Sequence, residues 1–90
     1  MDKEKQVNIV KDLILEGKIT ELSEIFNYGI DKKYVHTKTG INYYRLLRCA
    51  KNPKLFTIED TYTIARILKV KPTDISALMY GQIEAKKKKG

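Results

Sequence analysis

The sequence predicts an all-α fold, a compact bundle of five to six short helices, and three observations carry that prediction. Apolar residues recur three and four apart along most of the 90-residue chain, which is the spacing of one helical face. Glycine, proline and capping residues interrupt the pattern roughly every ten to fifteen residues, where helices would start and stop. No run alternates with period two for long enough to demand a strand. A chain of this length supports one domain with a modest core, expected over residues 1–84 and followed by a basic tail at 85–90.

The first helix is expected over about 3–16, where Val7, Ile9, Val10, Leu13 and Ile14 share a stripe and Gly17-Lys18 follows as a C-cap. Lys3, Lys5, Lys11, Asp12 and Glu16 lie off that stripe and need no functional role. Ile19, Leu22, Ile25 and Phe26 repeat the spacing and predict a second helix at about 20–27, with Thr20 available as its cap. Tyr28-Gly29-Ile30 breaks it, and Asp31 is a good N-cap for the next helix.

From Lys32 to Lys38 only Tyr34 and Val35, with Thr39, can face inward, enough for a two-turn helix that depends on its neighbours. At Gly40 the backbone can take the positive φ of a sharp turn, and Asn42 can cap the N–H groups that open a further helix, at 42–51. In that helix Leu46, Cys49 and Ala50 fall at i, i+3 and i+4 and form the apolar seam. Tyr43, Tyr44, Arg45, Arg48 and Lys51 are left for the other faces, and Asn52-Pro53 ends the helix. Two short helices joined by a tight turn containing glycine compose a helix-turn-helix, here at about 31–51.

After the connector Lys54-Leu55-Phe56, Thr57 with Asp60 three residues on reads as a capping box. Ile58, Tyr62, Ala65 and Leu68, with Ile64 and Ile67 alongside, predict a helix at about 58–69. Val70 to Asp74 is the next break, and Ile75, Leu78, Met79 and Ile83 place the last helix at about 73–84. Lys86 to Lys89 and Gly90 form a low-complexity basic segment, expected to be disordered and either to add unspecific phosphate attraction or to keep the protein soluble.

Charge is segregated along the chain. Residues 1–31 carry four lysines and seven acids, residues 57–90 carry seven basic side chains and four acids, and residues 32–56 carry seven basic side chains and no acid. The +7 formal charge is therefore concentrated where the turn and the 42–51 helix lie, as expected of a phosphate-binding surface.

Other classes find less support. The composition, 42% hydrophobic and 32% charged, is ordinary for a soluble globular protein. No stretch approaches a membrane span and the N-terminus lacks the apolar run of a signal peptide, so a cytoplasmic protein without a membrane partner is expected. The single cysteine, Cys49, cannot form an internal disulfide, and its place on the seam suggests a small buried hydrophobe. His36 has no second histidine to join it in a metal site and reads as a partly buried, hydrogen-bonded side chain. No nucleophile-base set, paired metal ligands or phosphate-cradling glycine loop is present, so neither an enzyme nor a cofactor, metal or small-molecule ligand is expected.

Gly40-Ile41-Asn42, Arg48, Asn52-Pro53, Thr57 to Asp60, and Ile64-Ala65 through Val70-Lys71-Pro72 with Ile75 resemble the lambda-repressor-like, or Xre/Cro, helix-turn-helix proteins over about residues 31–80. In that family a Gly-hydrophobe-polar turn precedes the recognition helix, an Asn-Pro follows it, and a helix reading Ile-Ala to Val-x-Pro closes the bundle. The resemblance implies that 32–38 is the scanning helix and 42–51 the recognition helix, lying in the major groove. It implies base contacts from Tyr43, Tyr44 and Arg48, and a phosphate contact from Asn42, which caps the helix. Tyr43 and Tyr44 stand where Gln and Ser are common, so no base preference carries over. His36 and Thr39 stand where the family usually has Ala and Leu.

The expected function is a sequence-specific, double-stranded DNA-binding transcriptional regulator, repressor-like and nucleoid-associated when bound. Lys32, Lys33, Lys38, Arg45, Lys51 and Lys54 would contact the DNA backbone beside Asn42. Two alternatives use the same bundle: a protein-interaction module with Tyr28, Tyr34, Tyr43 and Tyr44 as an aromatic patch, and an RNA binder in which those rings stack unpaired bases. The last helix carries more apolar residues than one buried stripe needs, and its surplus is expected to form a homodimer contact.

Overall fold

A computed structural model describes residues 3–89; Met1, Asp2 and Gly90, with the side chains of Lys88 and Lys89, lie outside the described residues. The described residues are all-helical, without strands. The α-helices are α1 (Lys3–Leu15), α2 (Lys32–Thr39), α3 (Tyr43–Lys51), α4 (Ile58–Leu68) and α5 (Pro72–Lys89), and short 3-10 segments cover Leu22–Tyr28 and Pro53–Leu55.

α1 buries Val7, Val10 and Ile14, while Ile9, expected on the same stripe, is exposed because it falls between them on the outer side. The helix closes with Gly17 N–H on the Ile14 carbonyl (3.1 Å) and Lys18 N–H on the Leu13 carbonyl (2.9 Å), the paired bonds of a Schellman motif.

Between α1 and α2 the expected α-helix at 20–27 is instead a 3-10 helix over Leu22–Tyr28. Its buried residues, Leu22 and Ile25, are three apart and meet the core once per 3-10 turn. Its start is held by Glu24, whose Oε1 accepts from the Thr20 N–H (3.1 Å) and the Glu21 N–H (2.9 Å).

α4 lies at the centre, packed on α1, α2 and α5. It is rotated from the expected orientation: Ile64, Ala65 and Leu68 are buried together with Asp60 and Thr61, whereas Ile58 is 79% and Tyr62 56% exposed. Hydrogen bonding turns the polar residues inward. Thr57 Oγ1 accepts from the Asp60 N–H (3.0 Å), Asp60 Oδ2 accepts from the Thr57 N–H (2.9 Å), and Thr61 Oγ1 donates to the Thr57 carbonyl (3.1 Å). The helix ends in a second Schellman pair at Lys69, a non-glycine residue held at φ 59°.

α5 buries Ile75, Leu78 and Met79 and, one turn on, Gln82. It continues to Lys89, so 85–89 are helical where a disordered tail was expected; Gly81 is the last helix-weakening residue within it. Gly81 permits a close approach to the loop before the 3-10 helix, since a Cβ there would sit 2.2 Å from the Thr20 carbonyl oxygen. Gln82, 4% exposed, spans what that approach brings together: its Oε1 accepts from the Ser23 N–H (2.9 Å) and its Nε2 donates to the Ala50 carbonyl (2.7 Å).

Replacing Gln82 with Leu keeps the volume and strands both backbone groups. Denaturant melts should show a stability loss of roughly 1–3 kcal/mol for each group left unpaired. A total loss below about 0.5 kcal/mol, the range of an ordinary surface change, would mean the carboxamide is dispensable.

Candidate nucleic-acid interface

The link between α2 and α3 is built by side chains of the turn itself. Gly40 stands at φ 80° and its N–H closes α2 on the His36 carbonyl (2.9 Å). Thr39 Oγ1 donates to the Val35 carbonyl (2.6 Å) and accepts from the Ile41 N–H (3.1 Å). The half-buried His36 places Nδ1 2.6 Å from the Ile41 carbonyl, as donor in the matching tautomer. His36 and Thr39, the two departures from the resembled family, therefore tie the turn internally.

Asn42 caps α3, its side chain accepting from the Arg45 N–H (3.1 Å). Leu46, Cys49 and Ala50 are buried at 0%, 1% and 4% exposure, as the seam predicts. Burial pushes the Cys49 thiol above its ordinary pKa, with Arg45 and Arg48 opposing and Asp60 adding to the rise, so the sulfur is a protonated core atom.

The outward residues divide into a tethered group and a free one. Tyr43 meets the His36 ring on one side and Tyr44 on the other, both edge-on with centroids 6.0 Å apart. Arg45, assigned to the DNA backbone from sequence, instead pairs with the Asp60 carboxylate and reaches toward the Leu55 carbonyl (3.4 Å), with one third of its side chain exposed. Tyr44, Arg48 and Lys51 are exposed; four and three residues apart, they line one outer stripe of the helix.

The lysines scatter more widely than the sequence suggested. Lys32 and Lys33 open α2, Lys32 with its ammonium 4.7 Å from the centre of the Phe26 ring. Lys38 borders a separate cavity of about 390 Å³ with Lys3, Tyr34 and Lys69, away from α3. Lys51 and Lys54 flank the end of α3, where sequence reasoning missed a neighbour: Lys86 Nζ donates to the Lys51 carbonyl. The absence of any glycine or proline between Gly81 and Gly90 was the signal that α5 could carry Lys86 this far.

Among the described residues no three His, Cys, Asp or Glu side chains come together to hold a metal ion, and no helix is long and apolar enough to cross a membrane. No family model, curated protein or solved structure matches the chain.

Burial pushes the Asp60 carboxyl up, but hydrogen bonds from Arg45 and Thr57 outweigh it and hold the carboxyl below its usual value. A folded pKa lower than the unfolded one stabilises the fold above the unfolded value and loses that contribution as pH falls through the folded one. Stability should therefore decline below about pH 4, the unfolded aspartate range. The Asp60→Asn variant should be weaker at neutral pH and show a smaller further loss in acid melts. An acid decline identical in both would remove Asp60 from the account.

Proposed function

We propose that the chain is a sequence-specific, double-stranded DNA-binding transcriptional regulator, with α2 and α3 as a helix-turn-helix of the lambda-repressor-like type and α3 in the major groove. The observation that carries this reading is the state of α3: apolar side buried, both ends tethered, and Tyr44, Arg48 and Lys51 presented from a stretch, 32–56, that holds no acid. A helix reading base edges must be rigidly aimed and must keep its own donors free. Arg48 fits the base-reading role and Tyr44 lies beside it. Tyr43, wedged between two rings, serves best as the support of Tyr44. Lys32, Lys33, Lys51, Lys54 and Asn42 remain backbone-contact candidates, Lys38 is set apart, and Arg45 acts by positioning the helix.

The aromatic-patch alternative loses a member, because Tyr34 is half-buried with the ammonium groups of Lys3 and Lys38 5.6 and 5.9 Å from its ring centre. An RNA reading keeps Tyr44, 75% exposed, as a stacking face. Competition between duplex DNA and single-stranded RNA separates the two.

Duplexes selected from a random pool provide the test. Arg48→Ala should cost about 1–3 kcal/mol at the selected site, with weak binding to random duplex spared, and less than about 0.5 kcal/mol of fold stability. Leu46→Ala should instead cost roughly 2–5 kcal/mol of stability as a buried truncation. Equal loss on selected and random duplex in the Arg48 variant would show that this side chain does not read sequence.

A regulator of this kind gains a second half-site by pairing. Tyr80 is 69% exposed on α5 and, with Ile58, Phe56, Met79 and Ile83, lines a cleft of about 320 Å³, a surface suited to a second copy about a two-fold axis. Sedimentation at high micromolar protein without DNA should show dimer, and Tyr80→Lys should shift it to monomer. A strict monomer in the unaltered chain overturns DNA-independent pairing.

A further inference from the structure

We propose that the last turns of α5 form a fixed clamp for nucleic-acid backbone phosphate, placed at the C-terminal end of α3 and built from Lys51, Lys54, Lys86 and Lys87. The proposal rests on the DNA-binding reading above and extends its phosphate-contacting surface beyond the helix-turn-helix onto α5.

Three observations carry it. First, Lys86 and Lys87 are carried to a set place beside α3, because α5 is pinned to α3 at two successive turns. Gln82 donates to the Ala50 carbonyl, and Lys86, four residues on, donates to the Lys51 carbonyl. These are among the last carbonyls of α3, the negative end of its dipole, which accounts for a lysine docking there.

Second, that docking uses one of the three N–H donors of the Lys86 ammonium and leaves two for another acceptor. Around it, Lys54, Lys86, Lys87 and Asn52 border a cleft of about 210 Å³ whose floor is Pro53 and Ile83. Glu84 lies 3.9 Å from Lys87 in a pair in which both side chains are more than half exposed; such a pairing is readily exchanged for a stronger anion.

Third, the cluster continues the free stripe of α3. Lys51 follows Tyr44 and Arg48 on that stripe, and its carbonyl is the one Lys86 binds. Like charges gathered at one place oppose folding unless a polyanion meets them. Ammonium groups are compact point charges without the planar fork that selects a carboxylate. Their place at the end of a base-reading helix matches phosphates just outside the segment that helix reads, so the clamp would set register without reading sequence.

The test uses the full chain and the duplex recovered from the random pool. Lys86→Gln with Lys87→Gln should make the log-affinity versus log-salt slope shallower by up to about 0.9 for each phosphate no longer neutralised, on selected and random duplex alike. Ethylation of single backbone phosphates should block the unaltered chain at one or two discrete positions flanking the read segment, and the double variant should be insensitive there. Ala85→Pro keeps every charge but breaks α5 before the lysines; it should lose the same discrete positions.

An unchanged slope, or the same ethylation pattern in the unaltered chain and the double variant, overturns the clamp. So does full retention of the pattern in the Ala85→Pro variant, since a loose arm would then suffice. In each case sequence selection lost in Arg48→Ala would still stand, which separates failure of the clamp from failure of the DNA reading. If the unaltered chain binds no duplex but is retained on vesicles rich in phosphatidylserine, both fall.

Discussion

The carboxamide of Gln82 is the interaction on which the arrangement of α3 most depends. A short helix cannot hold its own orientation, because it has few buried residues and its terminal carbonyls lack partners. α5 supplies that deficiency from outside: Gln82 takes the Ala50 carbonyl and, through its other end, the Ser23 N–H, so one side chain joins α3, α5 and the first 3-10 helix. Gly81 makes the reach possible, because any side chain there would collide with the Thr20 carbonyl. Lys86 then repeats the capping one turn later.

The opposite end of α3 is held by charge. Arg45, in its first turn, meets Asp60, which is also the capping carboxylate of α4. One carboxylate thus caps the start of α4 and anchors α3, and Asp60 and Thr61 face the interior at the expense of Ile58 and Tyr62. With both ends held and Leu46, Cys49 and Ala50 buried, the freedom left to α3 lies on the stripe of Tyr44, Arg48 and Lys51.

The turn before α3 belongs to the same design. His36 and Thr39 are larger or more polar than the resembled family uses, yet each satisfies a backbone group of Ile41 or Val35 in a link too short to satisfy its own. The His36 ring then becomes the platform for Tyr43, and Tyr43 for Tyr44. These edge-on contacts hold Tyr44 from one side and leave it 75% exposed on the other.

The sequence by itself determined the order of the α-helices and where most of them start, because caps, glycines, prolines and the three-to-four spacing of apolar residues act within a few positions of one another. The N-caps at Asp31, Asn42 and Thr57 and the buried seam of α3 were legible for that reason. The tertiary structure alone decided which face of α4 is buried, since Asp60 and Thr61 are worth burying only when Arg45 and Thr57 stand opposite them. It decided likewise that Arg45 is an anchor and Arg48 is free, although both are arginines on one helix. Gln82 and Lys86 lie 32 and 35 residues from the carbonyls they bind. No local pattern reports such a partner, because a polar side chain on a helix becomes a latch only once folding brings an unpaired backbone group within its reach.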